Sequence, residues 1–157
     1  MIQVKEELLK EFHEWVHFLE RIKDLDWNKP QSEGKWSIHD IVSHIYKWDE
    51  YFLGKAIAPI ANGKALTVQH LNFDEFNAQA AEYGRTKSKQ ELIDLSIQCR
   101  KEILEHIQNQ DISAFNKEFT DGDGKPFNIE AYLKDFIGHD RHHMKQIEER
   151  EDVLQVS

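Results

Sequence analysis

Apolar positions recur every three to four residues over four long stretches of this chain, the period of a helix with one buried face. In the first stretch Val4, Leu8, Phe12, Trp15, Leu19 and Ile22 form one stripe, which ends before Asp26, Asn28 and the helix breaker Pro30. The second opens at Ser37, with Asp40 in capping-box spacing and Trp36 and Ile41 at the hydrophobic-staple positions. Ile38, Ile41, Ile45, Trp48 and Phe52 carry it inward; it fades toward Gly54 and is expected to stop at Pro59. A second capping box, Ser88 with Glu91, starts the third, which runs through Leu92, Leu95, Cys99, Ile103 and Ile107. The last spans about residues 128–150, with Ile129, Leu133, Phe136, Met144 and Ile147 facing inward. Between the second and third, residues 60–71 read as loop and 72–83 as a short helix carrying Phe73, Phe76, Ala80 and Tyr83.

This pattern predicts an all-α protein, an antiparallel four-helix bundle with a long helix 2 to helix 3 connection that contains a short extra helix. No repeat or low-complexity tract divides it, so residues 1–157 are expected to form a single domain of ordinary size. Asp121-Gly-Asp-Gly is a turn. It begins like a calcium loop, but Lys125 and Pro126 stand where a ligand and a glycine are needed, and Tyr132 where the bidentate glutamate belongs.

Composition narrows the function. The net charge is -9 and no basic run exceeds two residues, which argues against nucleic acid as a partner. No apolar run approaches the roughly 18 residues of a membrane span, and the first ten residues lack the apolar core of a signal peptide, so a cytoplasmic protein is expected. The single cysteine, Cys99, allows neither an internal disulfide nor a cysteine-type zinc site; facing inward, it reads as a small buried hydrophobe. Any metal must therefore use nitrogen and oxygen ligands, and nine histidines supply the nitrogen.

Histidines at i and i+4 share a helix face and can chelate one ion. There are two such pairs. His13 and His17 lie roughly 120° or more from the apolar stripe of helix 1, on its solvent face. On helix 4, His143 falls within roughly 50° of the stripe centre and His139 at about 90°, where a bundle helix meets its neighbour, while His142 points outward. His44 stands at the stripe edge of helix 2 and His106 near the inner flank of helix 3; His39 is expected to be exposed. Wheel position thus leaves four candidates, His44, His106, His139 and His143, and does not choose among them.

Gly34-Lys-Trp-Ser-Ile-His-Asp-Ile-Val-Ser-His44 and His139-Asp-Arg-His-His143-Met-Lys-Gln-Ile147, with Phe76-Asn77 in the connection, resemble the DinB/YfiT-like family of metal-binding four-helix bundles. The resemblance covers essentially the whole chain in helix order. It implies that His44, His139 and His143 bind the metal and leaves His106 as a pocket or boundary residue. Three neutral imidazoles are the ligand count of an open catalytic site, with water or substrate completing the shell. They suit zinc or nickel, and iron as well.

By resemblance the protein is expected to be a metal-dependent enzyme that activates a low-molecular-weight thiol, of the S-transferase type, on a small-molecule substrate. The alternatives are a metal-dependent hydrolase and a non-catalytic, stress-associated metal-binding protein. No catalytic residue is assigned, and a homodimer is left open. Tyr51 and Tyr132 each lie two turns from a histidine on its own side of the helix and are candidates for the same pocket. Asp140 faces the core and needs a partner, sought among Arg141's neighbours, a histidine N–H or water. Gly138, mid-helix on the outer face, has no explanation in the sequence.

Overall fold

The computed structural model describes residues 2–30 and 35–150. Helix α1 (Ile2–Ile22) buries Leu8, Phe12, Trp15, Leu19 and Ile22 as the stripe requires, but Val4, near its free end, stays 39% exposed. The chain then folds back through Trp27, whose buried indole N–H donates to the Ile22 carbonyl at 2.9 Å and closes the helix end. Lys5 is buried on the other end of α1, where its ammonium donates to the Gln110 carbonyl at 2.6 Å.

Helix α2 (Ile38–Phe52) starts on the predicted box: Ser37 Oγ accepts from Asp40 N at 3.1 Å and the Asp40 carboxylate accepts from Ser37 N at 3.4 Å. Trp36 lays its ring against His44, centroids 4.7 Å apart. The helix does not stop at Pro59. It runs on through a π-helical turn (Leu53–Ile57) into α3 (Ala58–Ala61). Pro59 has no N–H for the Lys55 carbonyl, and that carbonyl instead accepts from Thr67 N and Val68 N at 2.9 and 3.2 Å, so the break is absorbed by stitching the connection back onto the helix.

Helix α4 (Phe73–Arg85), capped by Asn72, lies against α2, and α5 (Lys89–Gln108) begins on the second capping box. A short α6 (Ile112–Asn116) leads to a hairpin of β1 (Phe119–Thr120) and β2 (Pro126–Phe127), whose turn uses Gly124 at φ +78°. Helix α7 (Ile129–Glu148) follows, capped by Asn128 Oδ1 on Ala131 N at 2.8 Å. None of the described helices is long and apolar enough to cross a membrane.

Helices α1, α2, α5 and α7 make the bundle, but they do not alternate in direction. Arg141 meets Glu14 at 3.2 Å and Arg21 meets Glu148 at 3.3 Å, so α1 and α7 run parallel. Lys5 sits at the C-terminal end of α5 and Lys89 bonds the Leu25 carbonyl just beyond α1, so α1 and α5 are antiparallel. The long connection between α2 and α5 permits this order, because it returns the chain to the end from which α2 started. Gly84 lets α4 approach α2: a Cβ there would lie 1.8 Å from Ser43 Oγ and 2.6 Å from Ser43 Cβ.

A candidate metal centre at an aromatic cleft

His44 stands on the second turn of α2, and His139 and His143 one turn apart on α7. The bundle brings the three imidazoles together, each offering one ligand atom within 4.8 Å of the others. Among the described residues no other three His, Cys, Asp or Glu side chains make such a group. His44 Nδ1 donates to the Ile41 carbonyl at 2.6 Å, which leaves its Nε2 as a bare lone pair. His143 Nδ1 lies 2.7 Å from Gln146 Oε1 and is fixed the same way. His44 Nε2 and His139 Nε2 are 3.4 Å apart. Two imidazoles on one tetrahedral zinc, with bonds of about 2.0–2.1 Å, hold their nitrogens roughly 3.3 Å apart. The donor set therefore fits a divalent ion.

Protonation points the same way. Burial, with repulsion from the other two rings, lowers the pKa of His44 to about 3. Burial and His139 lower His143 to about 4, and burial, with help from His142 and Arg100, lowers His139. All three are neutral at pH 7, the form that ligates metal. His139 Nδ1 is buried without a partner among the described residues.

The remaining candidates do not join the three-histidine group. Asp140 is buried, and its partner is Arg100 of α5, not a neighbour of Arg141. Arg100 is fully buried. Its guanidinium bonds both carboxylate oxygens of Asp140 at 2.7 and 3.3 Å, both of Asp49 at 2.8 and 3.1 Å, and the Phe12 carbonyl at 2.9 Å. It also lies over the Phe12 ring at 3.7 Å. One side chain thus ties α1, α2, α5 and α7 together directly behind the histidines.

The Tyr51 hydroxyl is held by the backbone of Gln69, from whose N–H it accepts at 2.8 Å. Tyr132 is buried in a ring cluster with Phe12, Phe52, Phe127 and Phe136, its hydroxyl without a partner among the described residues and its pKa pushed up by burial. His106 is half-buried and outside the three-histidine group. Cys99 is buried and its thiol pKa is raised by burial, the behaviour of a packed hydrophobe. His13 and His17 pack edge to face on α1, with His17 exposed and His13 half-buried.

His39 corrects the sequence reading: it is buried at 7% exposure and donates from Nε2 to the Gly84 carbonyl at 2.7 Å. Its burial comes from α4, whose docking onto α2 no wheel of α2 alone reveals. Asp49 and Arg100 were missed although their positions, four after Ile45 and three before Ile103, are the inward ones that singled out Asp140.

A cleft of about 530 Å³ opens beside the histidines, lined by Trp48, Phe52, His70, Phe73, Asn77, Asp135, Phe136 and His139. It continues along the hairpin past Tyr132 and Phe127. A separate depression of about 320 Å³ around Trp27, His39 and Lys89 includes none of the three histidines.

Residues 7–147 match the family model of the DinB superfamily. The fold is similar to that of YfiT from Bacillus subtilis, described as a probable metal-dependent hydrolase with an unusual four-helix bundle topology. The two are 13% identical with a TM-score of 0.74 over 96% of this chain and 87% of that one. It is also similar to a mycothiol-dependent maleylpyruvate isomerase, 15% identical, TM-score 0.69, over 90% of this chain but only 60% of the isomerase. At these identities the likeness is one of fold. No curated protein matches the chain by sequence.

Proposed function

The chain belongs to the DinB superfamily, and on that premise we propose that it is a metal-dependent enzyme whose centre is held by His44, His139 and His143 and faces a small-molecule cleft. The observation that carries this reading is the position of His139. It is only partly buried and lines the cleft, whereas His44 and His143 are buried. A purely sequestering site has no need of an open side next to a cavity; a catalytic one does.

A divalent ion in this site, zinc or nickel by the softness of imidazole, supplies a Lewis acid that favours the deprotonated form of a thiol or water. The chain's own residues do the rest. The Ile41 carbonyl and Gln146 hold His44 and His143 in the tautomer that presents Nε2. Arg100, through Asp49 and Asp140, fixes α2 and α7 at the spacing that brings the three rings together. The aromatic wall of Trp48, Phe52 and Phe136 excludes water from one side of the site. Transfer of a low-molecular-weight thiol to an electrophile is our first reading. Hydrolysis is the second, and the lack of any Lys or Arg among the described residues lining the cleft favours it over use of a strongly anionic thiol.

The test is metal analysis of the purified protein, then thiol-conjugation and hydrolysis screens with and without chelator. About one divalent ion per chain, and its loss in His143→Ala, are expected. A His143→Ala or His44→Ala protein with full metal content would show that the site is elsewhere; full metal with chelator-insensitive activity would remove the metal from the chemistry.

A further inference from the structure

The cleft has a composition that selects among substrates. Trp48, 6% exposed, and the half-buried Phe52 and Phe136 form its inner wall, while Phe73, His70 and Asp135 form an exposed rim. Phe73 is 65% exposed and sets its ring edge-on to Trp48, centroids 5.5 Å apart. Burial of Phe73 in the bundle core plays no part in the fold, so its apolar face is surface offered to whatever enters the cleft. The Trp48 indole N–H is already bonded to Asn77 Oδ1 at 2.8 Å, and one indole face is covered by Phe76, centroids 3.9 Å apart. Phe76 does not line the cleft, so Trp48 meets a ligand with its remaining ring surface and not with a hydrogen bond.

Charge at the rim has one sign. Asp135, one turn before His139 on α7, is exposed at the cleft rim and has no ion-pair or hydrogen-bond partner among the described residues. Asp121 lines the extension of the cleft, with one oxygen taken by the N–H groups of Asp123 and Lys125. His70 is turned to Asp123 at 3.0 Å. No Lys or Arg lines the cleft or its extension among the described residues.

Resting on the reading that the three-histidine centre acts on a molecule in this cleft, we propose that the substrate is an arylalkylamine derivative, an electrophile or hydrolysable compound that carries an aromatic ring and an alkylammonium group. Its ring sits among Trp48, Phe52, Phe73 and Phe136 and its ammonium group lies at Asp135. Ring-on-ring contact and attraction of a cation to aromatic faces both act in its favour, and a carboxylate at the rim repels the anionic analogue.

The experiment titrates 2-phenylethylamine, 2-phenylethanol and phenylacetate into the full chain, following the tryptophan indole N–H signals by NMR, with the Trp48 signal assigned from Trp48→Phe. Metal-stripped protein, checked for helical circular dichroism, is compared with metal-loaded protein, where the amine is set against the alcohol. The amine should shift the Trp48 signal and bind about five-fold or more tighter than phenylacetate, the scale of an exposed charge pair plus a cation–ring contact. Asp135→Asn should reduce that preference by about two-fold or more, since the charge pair is lost and the cation–ring contact remains. Phe73→Ser, a change at an exposed position, should weaken all three. Equal or tighter binding of phenylacetate to stripped protein, an unchanged preference in Asp135→Asn, or no Trp48 shift with any probe would overturn the proposal. A protein that fails to load metal yet keeps the amine preference refutes the metal centre alone, whereas a loaded protein without that preference refutes the substrate class alone.

Discussion

Replacing Arg100 by Met tests how the bundle is held behind the histidines. The substitution keeps a long side chain but removes all the guanidinium donors, leaving the Asp49 and Asp140 carboxylates and the Phe12 carbonyl buried without them. Breaking a buried pair by deleting one partner costs about 3–5 kcal/mol, because the remaining charge is left uncompensated. The ring contact with Phe12 at 3.7 Å is lost as well. For a chain of this size about 2–4 °C of melting temperature is lost per kcal/mol, so a fall of roughly 10–15 °C is expected at pH 8. The deficit should shrink with acid. Burial already raises the Asp49 pKa to about 6 against the pull of Arg100, and without Arg100 the carboxyl goes higher still. A carboxyl whose folded pKa is raised destabilises the fold as pH rises through the window between its unfolded value, near 4, and its folded one, so the variant recovers as pH falls toward 5. Thermal melts at pH 5, 6, 7 and 8 measure this. The triple variant Asp49→Leu, Arg100→Met, Asp140→Leu removes the charges together and should regain at least half of the loss. A drop in melting temperature of under about 3 °C for Arg100→Met, or a deficit that does not change with pH, would refute the account.

Two glycines should respond to alanine with opposite sign. Gly84→Ala forces its Cβ onto Ser43 and should cost about 1–3 kcal/mol in a denaturant melt. Gly138→Ala meets nothing within 4 Å on the exposed face of α7 and should gain about 0.5–1 kcal/mol, and a loss there would mean that the residue has a role the structure does not show. His13→Ala with His17→Ala should leave metal content unchanged and shift stability by within about 0.5 kcal/mol, measured by elemental analysis and melting; a lost ion would overturn their separation from the centre. Chelator should lower the melting temperature while leaving the helical circular dichroism at 25 °C intact, since metal acts on a finished core only by linkage. In that stripped protein His44 and His143, with pKa values lowered to about 3 and 4, bind fewer protons than the unfolded chain, so their contribution is fully present above about pH 6.5 and is lost as pH falls toward 4. A melting temperature flat across that window would contradict the burial of neutral imidazoles.

Features set by neighbours three or four residues apart were legible in the sequence. Ser37 with Asp40, and Ser88 with Glu91, close their capping boxes within one turn, so helix starts could be read without any tertiary knowledge. Wheel position likewise put His139 and His143 on the inner flank of α7 and His142 outside, because the period of a helix fixes which face a residue shares. Choosing His44 over His106 took the family resemblance, since the wheel gives a side of each helix but not its height or direction in the bundle. Those are decided by interhelical packing. The parallel run of α1 and α7, the meeting of Asp49, Arg100 and Asp140, and the burial of His39 under Gly84 each join residues 40 or more positions apart. The π-helical passage around Pro59 depended on the same thing, because the carbonyl it frees is satisfied by Thr67 and Val68 of a segment whose return path is set only when α4 docks on α2. The sequence therefore determined the four amphipathic helices and the side on which each carries its histidines. The tertiary structure alone decided which of those sides meet, what charge neutralises the buried carboxylates, and that an aromatic cleft opens beside His139, because these follow from the register between helices, which no local period encodes.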